Sequence, residues 1–143
     1  KLKFSQQLHH ANTLAHLLHQ KISHYKYDID FLVPVPLHKS RLKQRGFNQS
    51  GVIASILSKK INIPVNYSYL TREKNTLPQS TLKLRQRRKN LKHAFSATSL
   101  GLEQANIALI DDVITTGATR NAALTALRQS HTGEIEVWAV ARA

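Results

Sequence analysis

Residues 106–119 read NIALIDDVITTGAT and carry the strongest pattern in the chain. Residues 106–110 have the apolar pattern of a buried strand. They lead directly into two acids, a turn of Thr and Gly, and a predicted helix. Gly117 lets backbone N–H groups curve around an anion without a Cβ in the way, and the helix start adds unpaired donors and a partial positive charge. The segment therefore predicts a phosphate-binding turn at the end of a strand, where open α/β sheets bind ligands.

The two acids of this segment, Asp111 and Asp112, are adjacent, although the chain has only four Asp. They cannot bind the phosphate itself, because like charges repel. They therefore hold either sugar hydroxyls, which donate to a carboxylate, or a metal ion. The alternative is that they only end a strand and cap a helix, but the unbroken order of the motif argues against it. A P-loop is excluded, since Gly117 is followed by Ala118 and not by Lys.

Outward from this motif, apolar segments alternate between strand and helix patterns. We predict helices at about residues 4–25, from Asn48 or Ser50 to about 61, and at 118–129; strands at about 30–36, 65–71, 106–110 and 135–141; and a basic loop at 38–47. Strands that alternate with helices predict an α/β fold with a mainly parallel, twisted sheet flanked by helices, Rossmann-like in outline. Trp138 falls in the last strand and is predicted to be a core residue.

The amino-acid composition excludes several classes of function. The chain has 143 residues, enough for one domain with a core, and 41% of them are hydrophobic. The absence of Cys excludes disulfides, thiol nucleophiles, zinc–cysteine sites and iron–sulfur clusters. No apolar run is long enough for a transmembrane helix. Five of the eight His lie in the first predicted helix, where a polar face is expected in any case, so a metal site there is disfavoured.

The charge is strongly basic and unevenly distributed. Twenty-one Lys and Arg face eight Asp and Glu, which leaves a net charge of +13. Residues 1–100 carry 18 basic and 3 acidic side chains, whereas residues 101–143 carry 3 basic and 5 acidic ones. Such a chain is attracted to polyanions, whether nucleic acid, phosphorylated metabolites or an anionic membrane.

Residues 108–119, ALIDDVITTGAT, resemble the phosphoribosyl-pyrophosphate (PRPP) loop of type I phosphoribosyltransferases. The resemblance implies that fold for the whole chain, residues 1–143, as a single domain. It implies that Asp111 and Asp112 contact the ribose hydroxyls and act on Mg²⁺ only indirectly, through PRPP and its ribose. It also implies a set of residues that cradle the 5′-phosphate, namely Thr115, Thr116, Gly117, Ala118 and Thr119.

A broader resemblance covers nearly all of the chain and is to the ComF/GntX family. It rests on Val33-Pro34-Val35-Pro36-Leu37, Arg41, Arg45-Gly46-Phe47-Asn48-Gln49, Arg72, Thr76-Leu77-Pro78-Gln79, Leu82, Arg87, Asn90 and Ala94-Phe95. Members commonly carry a Cys-rich zinc-binding segment upstream. This chain has neither that segment nor a Met at position 1, so we expect no zinc here and a domain separated from its front end.

The family resemblance gives roles to the basic segments. It implies pyrophosphate contacts for Lys39, Arg41 and Arg45, and a mobile loop that closes over the site and includes Arg72, Thr76, Gln79 and Arg87. The charge of the second segment also suits nucleic acid, with Arg85, Arg87, Arg88 and Lys89 as the candidate contacts. The alternative for both segments is a solvated basic surface.

The resemblance implies a PRPP-binding, phosphoribosyltransferase-like protein of natural transformation, which serves the uptake of single-stranded DNA into the cytoplasm. Its implied partners are PRPP or another 5′-phosphoribosyl ligand, single-stranded DNA and the competence helicase machinery. Its implied location is the cytoplasm, or the inner face of the cytoplasmic membrane. Three alternatives remain: a catalytically silent PRPP or 5′-phosphate sensor, a DNA-binding module, and a metabolic transferase that acts on a nucleobase and releases pyrophosphate. No residue identifies the acceptor.

Overall fold

The computed structural model describes residues 2–72, 94–98, 104–114, 117–130 and 133–142. The helices are α1 (Leu2–Ile22), α2 (Lys39–Arg45), α3 (Gln49–Ile61) and α4 (Ala118–Ser130). The strands are β1 (Phe31–Pro34), β2 (Leu70–Arg72), β3 (Phe95–Ala97), β4 (Ile107–Ile114) and β5 (Ile135–Arg142).

The main sheet is parallel, with strand order β1–β4–β5. Val33 pairs with Leu109, and Leu109 in turn pairs with Val137. Residues 107–110 of the central strand are all fully buried. This is the expected state of a parallel strand whose two faces are both covered, and it explains why the segment is apolar without alternation. The predicted α/β architecture with a parallel sheet is confirmed.

The two faces of the sheet are covered by different helices. Ile107 and Leu109 pack with α4, whereas Ala108 and Ile110 pack with α1 and α3. The division follows from the two-residue repeat of a strand, which points successive side chains to opposite faces. Trp138 is only 3% exposed and belongs to the second cluster, as predicted. Among the described residues, no helix has the length and apolar character needed to cross a lipid bilayer.

Asn106 ties the three parallel strands together at their amino ends. Its backbone carbonyl accepts from the N–H of Asp30 (2.7 Å), and its own N–H donates to the Asp30 carboxylate (2.8 Å). Its side-chain oxygen accepts from the N–H of Glu134 (3.0 Å), at the start of β5. One residue thus satisfies backbone groups before β1, β4 and β5.

A separate two-stranded antiparallel ribbon, β2–β3, covers part of the α4 face. The predicted strand at 65–71 is wrong over most of its length. Val65 forms only an isolated parallel bridge with Leu32. The Asn66 side-chain oxygen then accepts from the N–H groups of Ser68 (3.0 Å) and Tyr69 (2.8 Å). This local turn satisfies the backbone in place of a strand ladder and delays β2 until Leu70.

The basic segment predicted as a loop contains a short helix, α2, and that prediction is wrong. His38 lies at its N-cap, where Nδ1 accepts from the N–H of Ser40 (3.2 Å). Gly46 ends it in the left-handed conformation at φ 85°, with its N–H donating to the Leu42 carbonyl (2.7 Å). Glycine is the residue that takes this conformation without a steric penalty from Cβ.

Strand β4 is longer than predicted and includes both acids. The sequence predicts its end at residue 110, but pairing continues through Asp111, opposite Ala139, to Ile114, opposite Arg142. Neighbouring β5 supplies backbone partners along this extension, so the strand does not stop where the apolar run stops. The acid pair is therefore held by a strand rather than by a loop.

Replacing Leu109 by Ala tests the role of the central strand. Leu109 is fully buried, so the substitution removes packed apolar atoms and leaves a cavity. We expect a loss of about 2–5 kcal/mol in the free energy of unfolding, measured by urea denaturation. The matched control is Leu17→Ala on α1, where the side chain is 47% exposed and we expect a change within about 0.5 kcal/mol. Equal effects at the two positions would contradict the assignment of β4 to the core.

Candidate functional site

A cleft of about 430 Å³ opens at the carboxyl ends of β1 and β4. In an open parallel sheet this edge is where ligands bind. Four parts of the fold contribute to its walls: the residues after β1, α2 with the start of α3, the end of β4 with the start of α4, and β2. The lining residues are Val35, Pro36, Leu37, Arg41, Arg45, Asn48, Gln49, Ser50, Arg72, Asp111, Asp112, Gly117, Thr119 and Arg120.

Two hydrogen bonds fix the wall that follows β1. The Val35 N–H donates to the Ile110 carbonyl (2.9 Å), which ties this wall to the central strand. The Asn48 side-chain amide donates to the Val35 carbonyl (3.0 Å). Asn48, one of the two predicted starts of this helix, occupies the N-cap position of α3, but its side chain makes no capping hydrogen bond. It instead links the start of α3 to the end of β1, and so positions Gln49 and Ser50 on the cleft.

Gly117 precedes α4 in a left-handed backbone conformation, with the Arg120 side chain close by. Its φ is 79°, and a Cβ at this position would lie 3.1 Å from Nη2 of Arg120. The Gly117 carbonyl accepts from the N–H of Asn121 (2.8 Å) and closes the first turn of the helix. The left-handed backbone therefore favours glycine, whereas the Arg120 side chain could shift by a few tenths of an ångström to admit a Cβ. The turn brings Thr119 and Arg120 to the cleft.

The adjacent acids form a partly buried carboxylate pair. The Asp112 N–H donates to Oδ1 of Asp111 (3.0 Å). Burial, together with the negative charge of Asp112, raises the pKa of Asp111 from its usual 3.8 to about 6, and Arg120 opposes part of this rise. A group whose charged form is disfavoured in this way gains free energy from a ligand that donates hydrogen bonds or brings positive charge.

Three arginines face the acid pair. Arg41 and Arg45 come from α2, and Arg72 comes from the end of β2. The guanidinium of Arg72 lies 5.3 Å from the centre of the Phe95 ring, a cation–π contact that connects it to β3. Burial and the positive charge of Arg41 lower the pKa of Arg72. The arginines thus form a concentration of positive charge that an anion would stabilise.

The structure brings together most of the predicted site residues that it describes. Lining the cleft are Arg41, Arg45, Arg72, Asp111, Asp112, Gly117 and Thr119. Ala118 lies in the first turn of α4, and Lys39 is exposed on α2; neither lines the cleft. Outside the described residues lie Thr76, Gln79, Arg85, Arg87, Arg88, Lys89, Thr115 and Thr116.

Sequence reasoning did not predict four polar residues that line the cleft, namely Asn48, Gln49, Ser50 and Arg120. Arg120 had a usable signal, because it lies in the first turn of a helix that follows a predicted phosphate turn. Ser50 is the one buried polar residue among those described, at 5% exposed. A polar residue inside an apolar helix face is ordinarily a weak signal, and only the tertiary structure shows that it lines a cleft.

Comparison with curated proteins finds relatives along the full length of the chain. Competence protein F of Haemophilus influenzae is 38% identical over 150 residues, which cover 100% of this chain and 66% of that protein. DNA utilization protein YhgH of Escherichia coli K12 is 32% identical and is covered to 64%. Competence protein ComFC of Bacillus subtilis is 38% identical over 62% of this chain. The chain spans slightly less than two thirds of the length of the first two relatives.

Comparison with solved structures identifies the fold. A structure described as the allosteric regulatory enzyme of purine biosynthesis matches 91% of this chain and 25% of its own, with a TM-score of 0.62 and 19% identity. The glutamine PRPP amidotransferase from B. subtilis matches 89% of this chain and 25% of its own, with a TM-score of 0.59. The chain has the type I phosphoribosyltransferase fold, as predicted. No family model matches it.

Replacing Asp111 by Asn tests the strained carboxylate pair. The pKa of Asp111 is higher in the folded protein, about 6, than its usual 3.8, so protonation favours folding. This contribution is present at low pH and is lost as the pH rises through about 6. We therefore expect the stability advantage of Asp111→Asn over the wild type to be about 1–2 kcal/mol larger at pH 7.5 than at pH 4.5.

Urea denaturation at both pH values measures this difference. The matched control is Glu134→Gln, which makes the same carboxyl-to-amide change at an exposed position outside the cleft. We expect its effect on stability to vary with pH by less than about 0.5 kcal/mol. A pH-independent effect of Asp111→Asn would show that the pKa of Asp111 is not raised.

Proposed function

The chain belongs to the ComF family of competence and DNA-utilization proteins, and we propose that its cleft binds PRPP with Mg²⁺. One observation carries the proposal: an acid pair, a glycine turn at a helix start and three arginines face a single volume. PRPP requires the same three kinds of partner, since it consists of a ribose with a phosphate on one side and a pyrophosphate on the other.

The 5′-phosphate fits at the start of α4. Gly117 places no Cβ next to the start of the helix, and the helix start contributes a partial positive charge. The Arg120 side chain lies 3.1 Å from the point where a Gly117 Cβ would stand, so a charged donor is next to the turn. Thr119 adds a hydroxyl to the same wall. The roles of Thr115 and Thr116 in this turn remain predictions from sequence.

The ribose fits the acid pair. Its hydroxyls donate to carboxylates, and the raised pKa of Asp111 indicates a group that hydrogen-bond donors would stabilise in its charged form. Among the described residues, no cluster of three or more His, Cys, Asp or Glu could hold a metal ion by itself. Two carboxylates with substrate phosphates are a usual environment for Mg²⁺, so we propose that the oxygens of PRPP supply most of its ligands.

The pyrophosphate fits the three arginines. The mutual repulsion that lowers the pKa of Arg72 in the presence of Arg41 would be relieved by an anion between the two. The planar fork of Arg binds two phosphate oxygens at once. Arg45 completes the set from the last turn of α2. Lys39, which is exposed outside the cleft, is the weakest of the predicted pyrophosphate contacts.

We further propose that this site serves the handling of incoming single-stranded DNA in the cytoplasm. The support is the names of the relatives, competence protein F and DNA utilization protein, together with the net charge of +13. Two forms of the role differ in chemistry. In a sensor, PRPP binds and is not consumed; in a transferase, the arginines would stabilise the charge of departing pyrophosphate while an acceptor attacks the ribose.

Binding of Mg²⁺–PRPP is tested by isothermal titration calorimetry on the wild-type chain. We expect Arg41→Ala to weaken binding by about tenfold or more, because a charge-assisted hydrogen bond is lost. Lys43→Ala is the matched control, since it removes the same charge from an exposed position of the same helix. We expect Asp111→Asn with Asp112→Asn to abolish the measured heat.

The proposal fails if the wild type shows no heat with Mg²⁺–PRPP, or if Arg41→Ala and Lys43→Ala weaken binding equally. A screen for pyrophosphate release with nucleobases and single-stranded DNA then separates the two forms of the role. Release supports a transferase, and binding without release supports a sensor.

Direct binding of single-stranded DNA is tested through its salt dependence. We expect the triple variant Arg85→Ala, Arg87→Ala and Arg88→Ala to reduce the slope of log affinity against log salt by about 2, because each lost phosphate contact removes about 0.7. The matched control removes three exposed charges elsewhere, through Lys26→Ala, Lys59→Ala and Lys60→Ala. A wild-type affinity that does not vary with salt would contradict a direct role in DNA binding.

A further inference from the structure

Strand β5 is an edge strand of the main sheet. The sheet has the order β1–β4–β5, and within the described part of the chain no strand pairs with the side of β5 that faces away from β4. The strand has eight residues, which is longer than the usual length of about 5–6, and it contains no proline. A long and mostly apolar edge strand is a surface with which a further strand can pair.

Two hydrogen bonds show which backbone groups of β5 face outward. The Glu134 carbonyl, just before the strand, accepts from the N–H of Ile107 in β4 (2.9 Å). Because backbone groups alternate in direction along a strand, the even-numbered residues of β5 bond to β4. The outward groups belong to the odd-numbered residues, Ile135, Val137, Ala139 and Ala141.

A side chain on α1 confirms this assignment of the outward groups. The Ala139 carbonyl accepts from Nζ of Lys21 (3.4 Å), and Lys21 lies outside the sheet. The lysine thus supplies a donor at the place where a neighbouring strand would supply a backbone N–H. The distance is at the long end for a hydrogen bond, so a backbone donor could replace it at little cost.

The outward groups of β5 are complementary to those of a second copy of the same strand. A two-fold axis normal to the sheet would pair β5 antiparallel with its copy. Only the register centred on Trp138 gives every outward-facing residue an outward-facing partner. The resulting pairs are Ile135 with Ala141, and Val137 with Ala139. In an antiparallel ladder, residues that face each other in this way exchange two N–H···O=C bonds.

The same register brings opposite charges together on the α1 face of the sheet. The Glu136 carboxylate accepts from Nε1 of Trp138 (3.1 Å), and Trp138 packs with α1, so Glu136 lies on that face. The second copy's Glu136 would lie opposite Val140, next to the Ala139 carbonyl to which Lys21 donates. Lys21 of each copy can therefore pair with Glu136 of the other. Such ion pairs favour one register and one orientation.

An exposed aromatic side chain borders this edge. Tyr25 is 45% exposed, and its ring centre lies 6.0 Å from that of Tyr27, which in turn contacts Trp138 at 5.0 Å. Burial and the negative charge of Glu136 raise the pKa of Tyr25, which agrees with a position beside that carboxylate. Tyrosine is enriched at protein interfaces, because its ring buries apolar area while its hydroxyl can still form a hydrogen bond.

The edge also belongs to the least basic part of the chain. Residues 101–143 carry 3 basic and 5 acidic side chains, whereas residues 1–100 carry 18 basic and 3 acidic ones. Two copies of a chain with a net charge of +13 repel each other. That repulsion is weakest where acidic side chains are local, so charge favours an approach of two copies through β5 over one through the basic segments.

We propose that the chain forms a two-fold homodimer through its β5 edges, with Lys21 of each copy paired with Glu136 of the other. The two sheets would then become one continuous sheet of the order β1–β4–β5–β5–β4–β1. Neither Lys21 nor Glu136 lines the cleft, so the inference does not rest on the proposed function. A joint built mainly from one pair of strands is small, and we expect a dissociation constant of about 1–100 µM.

Sedimentation velocity of the full chain over a range of concentrations, at about 0.15 M salt, tests the dimer. Lys21→Glu and Glu136→Lys each place like charges across the joint, and we expect each to weaken dimerisation about tenfold or more. The double variant restores opposite charges, and we expect its affinity to return to within about threefold of the wild type. The matched control is Lys59→Glu, the same charge reversal at an exposed position of α3, for which we expect a change below about threefold.

Residue-resolved hydrogen exchange provides a measurement that needs no variant. In a monomer the outward N–H groups of Val137 and Ala139 exchange quickly, whereas the inward N–H of Trp138 is protected by β4. We expect the protection of Val137 and Ala139 to rise about threefold or more from low to high protein concentration. The protection of Trp138 should change by less than about twofold.

Three outcomes would overturn the inference. The first is a wild type that stays monomeric at about 300 µM, well above the expected dissociation constant. The second is a dimer that forms without added protection of Val137 and Ala139, since it would use another surface. The third is a double variant that folds but does not recover the affinity lost in the single variants. Outward amides protected equally at all concentrations would show that another segment of the chain covers the edge, which also contradicts the dimer.

Discussion

The central strand β4 is hydrogen-bonded along both edges and covered on both faces, and the cleft depends on this double enclosure. Residues 107–110 have no exposed surface, so neither α4 nor the pair of α1 and α3 can move away without exposing apolar area to water. The pairing of β4 with β5 also continues beyond the apolar run. The acids that end the run are therefore as firmly placed as the core itself.

Two acids on consecutive positions of a strand serve two sides of a sheet. Their side chains point to opposite faces by the strand repeat. In agreement, Asp112 lines both the cleft and a neighbouring cavity beside the first turns of α1, whereas Asp111 lines the cleft alone. The raised pKa of Asp111 follows from burial beside a like charge, a cost that a residue selected only for stability would not carry. Stability and the proposed ligand binding thus make opposite demands at this position.

The sequence predicts the parallel sheet, the helices around it and the acid–turn–helix motif, because each of these has a strong local pattern. It predicts elements less well where a side chain competes with the backbone ladder. His38 caps α2, although His is not among the usual capping residues, and Asn66 turns the chain where β-branched and aromatic neighbours suggested a strand. The cavity beside the first turns of α1 could not be predicted, since periodicity locates the polar face of a helix but not the residues that pack opposite that face.

The hydrogen bonds of Asn106 and the cleft lie at opposite ends of the same strands. Asn106 bonds to the segments that start β1 and β5, whereas the acids lie in the second half of β4 and the turn follows its far end. The register of the sheet is consequently secured by residues that do not line the cleft. The side chains of the turn and of α2 could therefore be exchanged by design. The hydrogen bonds that align the strands would be left intact. The fold is thus a scaffold in which the side chains of the cleft can be redesigned separately from the alignment of the strands.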